Sequence, residues 1–294
     1  MKPTFEYHVH GARCGHASDA KDEEYVKVAI SLGIKKLGFS AHLPTYPNPN
    51  ITHNPISRMH YDQKEKYLAS IKKLKNKYQD QIEIIVGYEA EYSSNLLHYL
   101  IKSRTEVDYM LLGAHSTHSG YQIYERGEPL KYAKIVCDGI ETGLYDIVVH
   151  PDAFLIHRER VTNKTKFLEE AVIASTMICE KAKEFNIPLE INHNGILNSR
   201  GKVFTDNKLG YPHPLFWDIA AEVGNLVMWG VDAHCPSRLS DYEESINIIE
   251  KDIDTKQLNF VSEDYHPVIA RSKNEKLKLA LINTRNKVYS EESN

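Results

Sequence analysis

The chain has 294 residues, 41% of them hydrophobic and 26% charged, with a formal net charge of −4 when histidine is neutral. That balance supplies a sizeable core and excludes a disordered chain, and the interspersed charges form no basic stripe of the kind nucleic acid requires. No apolar run approaches the roughly eighteen residues of a membrane span, and the opening MKPTFEYHVH has no apolar leader. The four cysteines, Cys14, Cys137, Cys179 and Cys235, are scattered. They read as reduced thiols, so the expectation is a cytoplasmic protein acting on something small, with no membrane or nucleic-acid partner.

Taken in chain order, short β-rich runs alternate with longer segments whose apolar residues recur at helical spacing. Strands are expected at 5–10, 36–40, 82–88, 109–114, 147–150, 189–192 and 226–231, with a further one at 258–261. Helices are expected at 22–32, 62–78, 167–185 and 214–223; the second carries Tyr67, Leu68, Ile71, Leu74 and Tyr78 along one side. The proline- and asparagine-rich stretch 44–55 and the glycine-punctuated stretch 194–214 read as loops. Strand, helix, strand at this cadence predicts a parallel sheet with helices outside. Seven or eight such units in 294 residues predict one closed α/β barrel spanning the chain, with function in the loops after its strands.

The informative feature is where the histidines fall. His8 and His10 end the first strand two residues apart, hence on one side of it. His42 follows the second strand, Glu89 ends the third, His115 the fourth and His150 the fifth. Asp232 and His234 close the seventh, and His16 lies in a loop just after the first. A lone histidine is most often a hydrogen-bonded core or surface residue. Seven imidazoles and two carboxylates converging at one end of a barrel would leave too many buried polar groups without partners, and metal ions satisfy them together. An imidazole-rich set suits Zn, Mn or Fe better than Mg. Two carboxylates offset only part of the charge of several divalent ions, so the site is suited to an anion and to phosphoryl transfer.

The stretches EYHVHGARCGHAS, GFSAHLP, GYEAEY, LLGAHS, IVVHPD, LEINHNGI, YPHPLFWDIAAEVG and WGVDAHCPS occur in this order, each near a strand end. In them the chain resembles, over nearly its whole length, the polymerase-and-histidinol-phosphatase (PHP) superfamily, and within it the bacterial histidinol-phosphatases. The resemblance implies a distorted (β/α)7 barrel holding three divalent metal ions at the C-terminal ends of its strands. It implies a first ion on His8, His10, Glu89 and Asp232, a second on His115 and His150 with Glu89 as bridge, and a third on His16, His42 and His234. Glu89, Asp232 and His234 would be catalytic, with Glu91 in support. The implied reaction is hydrolysis of a small phosphorylated metabolite, with L-histidinol phosphate the leading candidate. Another phosphorylated metabolite, phosphotyrosine, an exonuclease module and a non-catalytic metal-binding protein are the alternatives.

The chain departs from the family at Ala41, where aspartate is common, at His193, where a small residue is common, and in a longer, more basic loop after Asp152. His193 is either an extra substrate contact or a loop histidine. Asp152 is expected to orient a ligand or its loop, and Cys14 and Cys235 to pack. Arg13, Arg158, Arg160 and Arg200 lie in loops that should overhang the site, where a guanidinium grips phosphate bidentately. A loop arginine is as often only solvated.

Overall fold

The computed structural model describes residues 4–44, 58–115, 127–199 and 210–291. Eight strands form one parallel sheet in sequential order: β1 Phe5–Glu6, β2 Lys36–Phe39, β3 Glu83–Ala90, β4 Tyr109–Leu112, β5 Ile147–Val148, β6 Leu189–Asn192, β7 Leu226–Gly230 and β8 Asn259–Phe260. Helices α1 Asp22–Leu32, α2 Lys64–Tyr78, α3 Leu97–Arg104, α4 Pro129–Glu141, α5 Lys164–Phe185, α6 Asn194–Ser199, α7 Pro214–Val223 and α8 Tyr242–Ile249 lie between or beyond the strands, followed by α9 Pro267–Lys273 and α10 Glu275–Glu291. All the expected strands and helices are present. Residues 45–57, which hold most of the first expected loop, and 200–209 lie outside the described residues, while the start of the second expected loop, Asn194–Ser199, is the short helix α6 instead.

Local signals explain where the helices start and stop. α7 begins at a proline, is capped by the His213 side chain accepting from the Leu215 amide, and ends at Gly224 in the left-handed region. Asn163 caps α5 the same way, through the Lys166 amide. That cap starts the helix three residues before the apolar pattern does.

The sheet curls until its first and seventh strands meet. β8 pairs with the start of β7, through Leu226–Asn259 and Val227–Phe260. Beyond the end of β7 the chain turns to β1 instead: Val9 and Ala233 form a parallel bridge, with His10 N donating to Ala233 O and Ala233 N to His8 O. The sheet therefore holds eight parallel strands, one more than the resemblance implied, because the eighth occupies the edge that β1 leaves open at the strand starts.

Several strands stop earlier than the sequence pattern. β1 ends at Glu6 because the next backbone amides turn to side chains: His8 N donates to Glu6 Oε1, and Val9 N to Ser40 Oγ. β5 ends at Val148, and His150 just beyond it has a φ of 34°, outside the strand region. Period-2 alternation then sorts the layers. Tyr109 and Leu111, Ile147 and Val149, Ile85 and Met228 belong to one small buried cluster. Continuing by twos along the same strands gives Gly113 after Leu111, Glu89 after Ile85 and Gly87, and Asp232 after Met228 and Gly230. Apolar layers below thus support a polar layer at the strand ends. The larger cluster packs the other sheet face against the helices.

His193 is no exposed loop residue. It is buried, with its ring between Trp229 at 5.3 Å and Tyr242 on α8 at 5.0 Å, and neither ring nitrogen has a hydrogen-bond partner among the described residues. Burial pushes its pKa down from 6.5 to about 3. The unfolded chain takes up this proton near pH 6.5 and the folded protein does not, so stability falls as pH drops from 6.5 toward 3, by up to about 1.4 kcal/mol per pH unit for this one group. His193→Leu should flatten that part of the profile, as read from urea midpoints of the two proteins between pH 4 and 7. An unchanged difference across that range would show that the ring is protonated in the fold.

Candidate metal centre

Glu89 lies at the middle of the polar layer, 1% exposed. Its Oε2 is 3.0 Å from His42 Nδ1, 3.2 Å from His10 Nε2 and 3.3 Å from His8 Nε2. Its Oε1 is 2.9 Å from His150 Nε2 and 3.3 Å from His115 Nε2. Five imidazoles from four strand ends thus face one carboxylate. The space exists because residue 113 is glycine: a Cβ there would lie 2.1 Å from Glu89 Oε1. Asp232 stands beside it, with Oδ1 3.1 Å from His10 Nε2 and 3.4 Å from both His8 Nε2 and His234 Nδ1. Asp232 and His150 both have positive φ, 53° and 34°, a conformation costly for such residues and concentrated at functional sites.

The inward-facing nitrogens are set by what the opposite nitrogens hold. His8 Nδ1 contacts Glu190 Oε1 at 2.8 Å, and Glu190 also accepts from His150 N and Asn192 Nδ2. His10 Nδ1 lies 3.4 Å from the buried Cys14 thiol. His115 Nδ1 contacts Glu91 Oε1 at 2.8 Å, and the same oxygen is paired with Arg58. Asn192 and Asn194 donate to Asp232 Oδ2, which turns Oδ1 toward the histidines. His16 and His234 meet at the mouth, their Nε2 atoms 2.7 Å apart.

Burial alone raises both carboxyls, yet the surrounding imidazoles outweigh it and hold Glu89 and Asp232 well below the usual carboxylate range. Burial keeps His42, His16 and His234 below the ordinary histidine value, His234 at about 4, so these rings are neutral at pH 7 with lone pairs to give. Burial lowers His8 and His10 too, but their acidic neighbours and, for His10, the Cys14 thiol raise them well above it; a proton and a cation therefore compete for these nitrogens.

The donor set fits metal ions. Among the described residues His10 Nε2, His42 Nδ1 and Asp232 Oδ1 are buried without a hydrogen-bond partner, although other donor atoms are close by. Donor atoms approach within 4.8 Å of one another in four overlapping groups: His10, His42 and His234; His8, Glu89 and His150; His8, His10 and Asp232; His42, Glu89 and His115. His16 is in none of the four, its nearest such contact being His234. A cavity of about 400 Å³ opens over the cluster, and Arg58, Tyr211, Asn194 and Arg238 complete its wall.

The sequence profile of the PHP domain matches residues 6–194. The chain belongs to the PHP domain family. It is 23% identical over 245 residues to a protein of Deinococcus radiodurans named a probable histidinol-phosphatase, covering 79% of this chain and 86% of that one. It is also 23% identical over 256 residues to a protein of Shewanella piezotolerans named a probable phosphatase, covering 85% of each. The fold is similar to that of the histidinol phosphate phosphatase of Lactococcus lactis, solved with zinc, L-histidinol and phosphate, at a TM-score of 0.57 and 16% identity, covering 83% of this chain and 93% of that one.

In this PHP domain three of the arginines chosen from sequence, Arg13, Arg158 and Arg160, are not among the described residues of the cavity wall. Arg13 is paired with Asp22 at 2.7 Å. Arg158 is buried and donates to the carbonyls of Leu155 and Gly210, holding its own loop. Arg160 is exposed, and Arg200 lies outside the described residues. Asp152 acts on its loop as expected, accepting from His213 N and Trp217 Nε1 at the start of α7. Cys14 does more than pack, since it touches His10. Glu190, Asn192 and Asn194 went unnoticed in the sequence. Their signal was the period-2 spacing in LEINHN, the same one that marked His8 and His10.

Gly113→Ala tests the centre without removing a donor. The added methyl collides with the Glu89 carboxylate and two of its carbons, so the side chain must leave its place. Metal content by elemental analysis should fall by half or more while the circular dichroism spectrum is retained. Full metal content in that variant would show that Glu89 is not the centre's organising donor.

Proposed function

We propose that this chain is a metal-dependent phosphomonoester hydrolase converting an ester and water to an alcohol and inorganic phosphate, with L-histidinol phosphate as its leading substrate. The observation that carries this reading is the convergence of five imidazoles on Glu89 beneath an open cavity with arginines in its wall. The shared PHP membership and the names of the relatives support it. We read the ring as a seven-strand barrel with β8 at its edge, the whole chain as one domain, and the free cysteines as a sign of a reducing, cytoplasmic setting.

The residues would hold three ions of the Zn, Mn or Fe class. His8, His10, Glu89 and Asp232 would take the first. His115 and His150 would take the second and share Glu89 with it. His42, His234 and His16 would take the third, with His10 close enough to His42 and His234 to share in it. When bound, the ions supply Lewis acidity and neutralise charge that builds on the phosphoryl group. The protein contributes the arrangement. Glu190 and Glu91 keep His8 and His115 turned inward, and the two asparagines keep Asp232 Oδ1 on the cluster. His234 and Asp232 present the cluster to the cavity, and the apolar layer beneath keeps water out from below.

Glu89→Gln removes the charge that all five rings face. Turnover should fall by several orders of magnitude with the fold intact, and elemental analysis should drop from three ions. Near-normal turnover at saturating metal would sink the assignment of Glu89 as the bridge.

A less selective phosphatase is the second reading, and one observation favours it. Among the described residues lining the cavity the only carboxylates are Glu89 and Asp232, both engaged with histidines, so neither is placed to meet a substrate ammonium. The two readings separate in kcat/KM. If the amine and ring of histidinol phosphate are recognised, it should exceed an aryl phosphate by at least a hundredfold, about 3 kcal/mol of differential transition-state binding. Comparable rates would reject histidinol phosphate and leave the phosphoesterase chemistry in place.

A further inference from the structure

We propose that Arg58 and Arg238, which no sequence pattern singled out, grip the phosphate of the substrate from the two walls of the metal cavity. The inference rests on the phosphoesterase reading and adds to it the residues that hold the anion. Arg58 follows β2 and Arg238 follows β7, and between these lies β1, which brings His8 and His10. Both arginines line the cavity that contains His16, His42, His115, His150 and His234, whereas Arg13, Arg158 and Arg160 do not.

Each is anchored by a carboxylate that lies outside the donor groups. Arg58 is 5% exposed and paired with Glu91, whose same oxygen also takes His115 Nδ1. One buried carboxylate therefore fixes both a proposed metal ligand and a cation beside it, and sets the distance between them. Arg238 is paired with Asp241 at 3.2 Å one helical turn on, which leaves it about one-third exposed at the rim.

The chemistry needs such groups. Each terminal oxygen of a phosphate monoester accepts more than one contact, so a guanidinium can meet in a planar fork the lone pairs that ions beneath leave open. Arg58 also lines a second groove, of about 790 Å³, between α1 and α2. It stands where the two spaces adjoin, so an ester held by its phosphate at Arg58 has room there for its alcohol portion.

The test is calorimetric binding of inorganic phosphate to the metal-loaded enzyme, with metal content measured on the same samples. Arg58→Ala and Arg238→Ala should each weaken phosphate by about tenfold or more, the loss of a charge-assisted contact, at unchanged metal content. Arg13→Ala and Arg160→Ala should stay within about twofold. Removing Arg58 leaves Glu91 buried without its cation; Arg58→Lys keeps the charge, loses the fork, and should give an intermediate loss. Arg238→Ala lies at the surface and folds regardless. Wild-type phosphate affinity in Arg238→Ala and Arg58→Lys would overturn the proposal, as would losses that merely follow loss of metal. If the wild-type enzyme hydrolyses no phosphomonoester, the phosphoesterase reading itself fails, and that result is distinct from either.

Discussion

A single buried carboxylate organises this protein. Placing Glu89 in the interior is costly by itself, and what offsets the cost is the ring of imidazoles that reach it from β1, β3's neighbours and β5. All but His115 of those rings are buried in turn, and burial favours a partner for the second nitrogen. The requirement propagates outward: Glu190 and Glu91 answer two of the rings, and Asn192 and Asn194 answer Asp232. Much of the polar character at the strand ends follows from the need to keep one charge satisfied.

The backbone accommodates the same demand. β1 and β5 surrender ladder pairing early, and their last residues turn to side-chain acceptors such as Glu6 and Glu190. His150 and Asp232 adopt positive φ, which ordinary side chains avoid, and Gly113 stands where any Cβ would strike Glu89. Irregularities of this kind fall at the strand ends, while the apolar layer beneath keeps regular parallel pairing from Tyr109 to Leu112 and from Leu189 to Asn192. Regular structure below and strained structure above is the expected division in a barrel that places its chemistry at one face.

The link from the centre to the cavity wall runs through Glu91. By pairing with His115 and Arg58 together, it couples the position of a metal-facing ring to that of a cation in the cavity wall. A change at either partner is felt by the other, since the carboxylate is buried and has little room to adjust. Arg58 also borders the groove between α1 and α2, so one side chain faces both spaces.

The sequence by itself determined the parallel α/β plan and the identities of the residues that meet at its centre. Strand periodicity is local, and His8 and His10, or Asp232 and His234, show their common side through spacing alone. It could not rank the arginines. Arg158 looked well placed beside the cavity, but its guanidinium satisfies the carbonyls of Leu155 and Gly210, while Arg58, in a loop with no periodic pattern, is drawn in by Glu91. Nor could it show that His193 would be buried between Trp229 and Tyr242, or that β8 would take the edge beside β7. Those outcomes depend on contacts between residues far apart in the chain, where burial and charge pairing choose among side chains that look alike in sequence.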